Sequence, residues 1–377
     1  MEINISSESA VTFWKVMLLT GAVVQFGFLI FVYRRLAFFK KSKKSKTRPP
    51  VSIIIAARNE EENLLTNMPI ILEQDYEMFE VVVVNDCSVD DSLTVLQAYQ
   101  EKYPQLKLVN IIENDRYEGG KKFAITLGIK AAKYDRLVFT DADCRPVSRK
   151  WIEKMVESIS IENGIVLGYS PYIREKGFLN KIIRFDAVST AMNYLNFALC
   201  GMPYMGVGRN LSYSKSSFFA VGGFRSHYKL MSGDDDLFIN QIAKKENTFI
   251  CLEEEAVVPS VPEKSWKDYW RQKRRHLSTG FRYKLIHRIL LMAQPISLLL
   301  FWLAAIALLL SHNWLEITLG MVLSRVLLQI LIFRRSSRWL GQSDLTILAP
   351  IFEILILVIT TCAHAANAVS KRVTWKT

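Results

Sequence analysis

The sequence predicts an α/β domain with a parallel-rich sheet, carried between one N-terminal and about three C-terminal membrane-spanning helices. Three observations predict it. Short, mostly apolar runs alternate with helix-like runs through the middle of the chain. Long apolar stretches occur only towards the two ends. Lys and Arg cluster beside those stretches. Composition agrees: 377 residues with a net charge of +12 are half hydrophobic, and the mean hydropathy is +0.14, unusual for a soluble basic protein. Disordered, collagenous and coiled-coil classes are excluded. Five cysteines without a Cys-x-x-Cys pair argue against a disulfide framework and against a structural zinc site.

In chain order, residues 16–33 hold no charge and one Gln, which at about 1.5 Å per residue is enough to cross a bilayer. Glu2 and Glu8 precede this run and eight basic residues follow it at 34–48, the reverse of a cleaved leader, so an uncleaved anchor over 11–33 is expected. At the other end, 289–310 is uncharged, 315–333 carries Glu316 and Arg325, and 345–368 carries Glu353 and His364. The four-residue link at 311–314 makes the first two a helical hairpin. Four spans put the basic segments 34–48 and 264–288, and Arg334, Arg335 and Arg338, on the cytoplasmic side. Lys371, Arg372 and Lys376 would then lie outside, against the rule. A nucleic-acid role for the basic arm is set aside in favour of the membrane surface beside a span. Arg325 and Glu353 fall at the same depth from the cytoplasmic side, about 12 Å, and are expected to pair across adjacent helices. The expected divisions are 11–33 (anchor), 34–48 (basic juxtamembrane segment), 49–263 (cytosolic domain), 264–288 (basic interfacial segment), 289–368 (spans) and 369–377 (tail).

In the middle, strands are expected at 51–57, 80–84, 106–112, 136–140 and 165–169, with helices at 61–73, 92–102 and 121–132 between them. Ligands bind at the carboxyl ends of such strands. Three of these ends are polar: Arg58-Asn59-Glu60, the stretch from Asn85-Asp86 to Asp91, and Thr140-Asp141-Ala142-Asp143. No glycine-rich phosphate loop follows the first strand, so a dinucleotide or P-loop reading fails. Asp141 and Asp143 can share a hard divalent cation, Mg²⁺ or Mn²⁺, that binds diphosphate oxygens, although Asp-x-Asp also serves as a turn or helix cap.

Together with Gly120-Lys121-Lys122, these strand ends make the chain resemble the family 2 inverting glycosyltransferases, membrane-anchored bacterial type, which use nucleoside-diphosphate sugars on a GT-A fold. Gly208-Arg209-Asn210-Leu211, Gly222-Gly223-Phe224, Gly233-Asp234-Asp235-Asp236-Leu237 and Gln272-Lys273-Arg274-Arg275-His276 continue the resemblance through residue 280 or so. His276 stands where the family has Trp, which removes a stacking surface.

The resemblance implies roles. Asp86, with Arg58 and Glu60, would line the nucleotide pocket. Lys121 or Lys122 would balance the diphosphate. Asp141 and Asp143 would carry the cation. Asp234 would be the general base, with Asp235 as the alternative. Arg209, Asn210, Gln272, Arg275 and His276 would face acceptor and diphosphate. The implied protein is a multi-pass enzyme of the bacterial inner membrane with its catalytic domain cytoplasmic. It would move sugar from a nucleoside-diphosphate sugar, a UDP-sugar first, to a lipid-linked or glycan acceptor, with no nucleic-acid partner. A processive polysaccharide synthase and a non-catalytic nucleotide-sugar-binding scaffold are the alternatives.

Overall fold

The computed structural model describes residues 8–41, 47–112, 120–159, 161 and 163–369. The chain divides into two compact units, one of residues 40–282 with 363–377 and one of residues 1–39 with 283–362.

The first unit is built on a seven-stranded sheet. In chain order its strands are β1 (Val51–Ala57), β2 (Phe79–Asp86), β3 (Leu106–Ile111), β4 (Arg136–Phe139), β5 (Ile165–Leu167), β6 (Leu211–Ser214) and β7 (Thr248–Ile250). The spatial order is β3-β2-β1-β4-β6-β5-β7. Strands β3, β2, β1 and β4 are parallel, and β6 runs antiparallel between β4 and β5. Val81 to Val84 and Ile53 to Ile55 are buried, which is why these runs are continuously apolar rather than alternating. The sequence reading missed β6 and β7. Each is short, and β6 reads Leu-Ser-Tyr-Ser, without a continuous apolar run.

Helices α1 (Glu8–Gly27) and α2 (Arg34–Ala37) precede the sheet. They are joined by a π-helical stretch, Phe28–Tyr33. Within the sheet domain follow α3 (Glu61–Leu72), α4 (Ser92–Lys102), α5 (Lys121–Ala131), α6 (Trp151–Glu157), α7 (Phe178–Leu199), α8 (Lys215–Ala220), α9 (Asp236–Ile242) and α10 (Trp266–Leu277). Chain direction along the sheet reverses at β1, whose neighbours β2 and β4 lead to opposite edges. Helix α5 crosses near this reversal. A Cβ at its Gly128 would come 2.8 Å from Ile54 Cγ2 and 3.1 Å from Val84 Cγ2, so the helix lies closer to the sheet than any larger residue would permit. That approach fixes the start of α5, and with it Lys121.

The second unit holds α1, α2, α11 (Leu285–Leu310), α12 (Leu315–Trp339) and α13 (Ala349–Val369) as far as residue 362. Four helical segments among the described residues are long and apolar enough to cross a membrane, Glu8–Ala37, Leu285–Leu310, Leu315–Trp339 and Ala349–Val369. At Gly21 a Cβ would meet the Phe301 backbone at 2.8 Å, a close approach of α1 to α11 of the kind small residues permit between spans. Positive φ at His312 and Trp314 turns the chain from α11 into α12.

Arg325 is wholly buried and does meet Glu353, at 2.5 Å. It also donates to Gln25 Oε1 at 3.0 Å and to Gln329 Oε1 at 2.9 Å. Gln329 donates to the same Glu353 oxygen at 3.0 Å, and Gln25 donates to Ser297 Oγ at 2.9 Å. One polar network therefore joins α1, α11, α12 and α13. The sequence reading found the ion pair but not the two glutamines that complete it. Lys371, Arg372 and Lys376 lie outside the described residues, as do 42–46 of the basic arm.

Candidate active site

The polar ends of β1 and β2 are held together by their own loops. Asn59 and Cys87 both take positive φ, unusual for residues with a side chain. Asn59 N–H donates to Ser88 Oγ, and Asn59 Oδ1 accepts from Val89 N–H. Glu60 N–H donates to Ser92 Oγ and Glu61 N–H to Asp90 Oδ2. Asp86, the last residue of β2, is wholly buried, while Arg58 and Glu60 are half-buried. The Glu60 carboxylate accepts from Asn63 Nδ2 at 2.6 Å.

Beside these loops, a small cleft opens at the reversal point, between the ends of β1 and β4. Ile54 and Ala56 form its floor, with Phe139, Thr140 and Asp141 from the end of β4. Strand β6, antiparallel to β4 with Leu211 opposite Phe139, delivers Gly208 to the same place. Lys121 enters from the start of α5, and Asp234 and Asp235 from the start of α9.

Four segments far apart in sequence thus meet through polar contacts. Lys121 Nζ lies 2.8 Å from Asp141 Oδ1 and 3.4 Å from Asp234 Oδ2. Asp235 accepts from Gly208 N–H at 2.8 Å and from Asp236 N–H at 2.7 Å, capping α9. Burial, reinforced by the Asp234 and Asp236 charges, pushes the Asp235 carboxyl up to about 7, with Lys121 opposing. Burial also works against Asp141, but the Lys121 ammonium, with the Arg209 and Arg275 charges, more than offsets it and holds that carboxyl below the usual range. Lys121 is raised in turn: burial disfavours its charge, and Asp141, Asp234 and Asp235 overcome it.

Two expectations change here. Lys122 does not face the cleft. It is buried and donates to the carbonyls of His227 and Leu230, so its ammonium holds a loop; of the lysine pair, Lys121 alone lines the cleft. Asn210 also turns away from any acceptor. It is fully buried, accepts from Trp151 Nε1 at 3.0 Å, and donates to the Tyr169 and Ala256 carbonyls at 2.9 and 2.7 Å. Every hydrogen-bonding direction of its Nδ2 amide is satisfied inside the chain, so it is a packing residue that holds Arg209 in place.

Arg209 stacks 4.6 Å from the Tyr172 ring. Tyr172 donates to Gln272 Oε1 at 3.1 Å, and Gln272 donates to Glu263 at 3.1 Å. The Gly-Arg-Asn and Gln-x-x-Arg motifs are therefore linked by an aromatic ring that sequence reading passed over. No motif marks Tyr172, which follows β5 in a bridge to Ser260. Desolvation by the surrounding chain, together with the cations Arg275, Arg209, Lys273 and Lys121, pushes the His276 imidazole well down, towards neutrality.

Asp141 and Asp143 are part-exposed oxygen donors two residues apart. Ser260 Oγ lies 3.4 Å from Asp143 Oδ2. The described residues gather no third Asp, Glu, His or Cys with them. The pair fits a hard cation that takes its remaining ligands from diphosphate and water.

The mixed α/β sheet, with acidic residues after β4 and before α9 around one cleft, is of the GT-A fold class. The sequence model "Glycosyl transferase family 21" matches residues 15–377, and the chain belongs to that family. The family 2 resemblance and this match agree on the class. Among relatives, the chain is 24% identical over 271 residues to the probable glycosyltransferase YdaM of Bacillus subtilis, covering 70% of this chain and 62% of that protein. It is 31% identical over 118 residues to the glycosyltransferase AglE of Haloferax volcanii, covering 31% and 37%. The chain thus spans under two thirds of the length of these relatives. The mannosyltransferase PcManGT of Pyrobaculum calidifontis, solved with GDP-Man and Mn²⁺, superposes with a TM-score of 0.58 over 90% of this chain and 98% of that one, at 18% identity, which shows a shared fold.

Proposed function

We propose that this protein is an inverting glycosyltransferase that moves a sugar from a nucleoside-diphosphate sugar to a membrane-associated acceptor, lipid-linked or glycan. It would sit in the bacterial inner membrane with the sheet domain cytoplasmic. The observation that carries this reading is the convergence of Lys121, Asp141 and Asp234 within 3.4 Å at the carboxyl ends of the strands.

Inversion needs one in-line displacement. The acceptor hydroxyl attacks the anomeric carbon, its proton passes to Asp234, and the bond from that carbon to the diphosphate oxygen breaks. Asp234 faces the cleft, whereas Asp235 is held by two backbone N–H groups, which favours Asp234 as the base. Asp141 and Asp143 would hold Mg²⁺ or Mn²⁺, which stabilises the negative charge of the leaving diphosphate. Lys121 supplies a second positive charge there. Asp86, with Arg58 and Glu60, would receive the nucleoside beyond the end of β1, and Arg209, Gln272, Arg275 and His276 would meet the acceptor. Four candidate spans with a single tight hairpin favour single transfers over threading of a long polymer.

The test is a screen of the purified full chain in detergent against UDP- and GDP-sugars with Mn²⁺, with and without a lipid extract. Nucleoside diphosphate release from at least one donor, raised by lipid and lost in Asp143→Ala, is expected. No release from any donor under any acceptor condition would overturn the reading.

A further inference from the structure

The ammonium of Lys121 lies 2.8 Å from Asp141 Oδ1, in the space that a cation coordinated by that oxygen at about 2.1 Å would have to share. Its surroundings hold it there. The side chain is only 22% exposed and is drawn by the second carboxylate, Asp234, at 3.4 Å. The backbone beneath it has little freedom. Gly128 seats α5 against Ile54 and Val84, and the next residue, Lys122, is tied to the carbonyls of His227 and Leu230. Lys121 can therefore leave Asp141 by rotation of its own side chain and not by a shift of the helix.

We infer that Lys121 is a built-in competitor for the cation on Asp141, displaced by the donor diphosphate, so that cation and donor are taken up together instead of one at a time. This rests on the proposed role of Asp141 and Asp143 as cation ligands. Three carboxylates surround one ammonium here: Asp141 and Asp234 in contact, and Asp235 nearby. A diphosphate offers Lys121 a stronger partner than either contact, since its oxygens carry more charge. When the lysine swings to it, Asp141 is released to the cation and Asp234 loses its counter-ion at the moment an acceptor proton has to be taken. A cation arriving alone must instead push the lysine onto Asp234, with no diphosphate to make up for the lost Asp141 contact.

An opposite charge in contact shifts the proton affinity of a carboxylate by a factor of ten or more, and a competing cation is subject to the same field. Mn²⁺ binding to the purified full chain in detergent, followed by electron paramagnetic resonance with Mn²⁺ alone and with Mn²⁺ plus UDP, reads the effect. Lys121→Gln and Lys121→Met are both expected to bind Mn²⁺ alone about tenfold more tightly than the parent, while the gain conferred by UDP shrinks. Lys130→Gln is the control, because it removes the same charge from an exposed position on the same helix, outside the cleft; it is expected to change the affinity by less than about threefold. Unchanged or weaker Mn²⁺ binding in the two Lys121 variants would overturn the inference and leave the cation reading standing. An equal rise in Lys130→Gln would overturn it too, reducing Lys121 to background charge. If no form binds Mn²⁺ even with UDP, the cation reading falls and the inference with it.

Discussion

Lys121 in the sheet domain and Arg325 among the spans are both cations held by carboxylates, yet their surroundings differ in two respects. Around Lys121 the acids outnumber the base, and the Lys121 and Asp141 side chains keep 22% and 26% of their surface exposed. Such a pair can exchange partners, because water or an incoming anion can replace each contact. Around Arg325 a single acid is joined by two amides, and the guanidinium is fully enclosed. Between helices that cross a bilayer no water replaces a broken contact, so a network of this kind holds them together. An excess of charge with partial solvation suits a site that must rearrange, whereas a closed set suits a joint.

Four experiments press on this contrast, from the largest expected effect to the smallest. Asp234→Asn keeps the shape of the cleft but removes a proton acceptor, so turnover should fall by roughly 10² to 10⁴-fold while donor binding persists. If Asp234→Asn stays active and Asp235→Asn is the dead variant, the base is Asp235.

Among the spans, Arg325→Leu and Glu353→Leu should each destabilise by about 3–5 kcal/mol, since either leaves a buried charge unmatched, and the double variant should lose less than the worse single one. Thermal unfolding midpoints in detergent check this. Additive losses would mean that the two charges act separately.

The third concerns Asp235. Its carboxyl sits near 7 in the folded chain against an ordinary 3.8. The folded state therefore binds a proton between about pH 4 and 7 that the unfolded chain has released. Stability contributed by this group is full below that window, falls as pH rises through it, and is level above it. Asp235→Asn should flatten the unfolding midpoint against pH across this range relative to the parent. Parallel profiles would show that Asp235 is ionised throughout.

The smallest effect is expected for Gln25→Leu, which removes one amide from the Arg325 network while the ion pair remains. A loss of about 1.5–3 kcal/mol, the usual worth of a hydrogen bond to a charged group, is expected in the same unfolding assay. No change would place the first span outside the joint.

Much of this was legible in the chain itself, and the reason is period and length. Strands β1, β2 and β4 are largely continuous apolar runs because the sheet buries both of their faces, and such runs can be read without a structure. The long apolar helices are read the same way, from uncharged length. Arg325 and Glu353 could be matched because depth along a helix is a linear function of residue number. Strands β6 and β7 escaped notice because three or four residues are too few to show a period. Lys121 and Lys122 are chemically identical neighbours, and only the rotation of α5 sends one into the cleft and the other to the His227 and Leu230 carbonyls.

The sequence by itself determined the class of fold, the number of candidate spans and which polar segments lie at strand ends, because each follows from local pattern and from rules that act along the chain. Only the tertiary structure decided which of those polar residues meet. Asp141, Lys121, Asp234 and Gly208 come from four separate segments, and their proximity depends on the strand order and on the antiparallel placement of β6. Asn210 was withdrawn from the site, and Gln25 joined the Arg325 network, for the same reason. Hydrogen-bond partners are chosen by distance in space, to which position in sequence is no guide once the chain has turned back on itself.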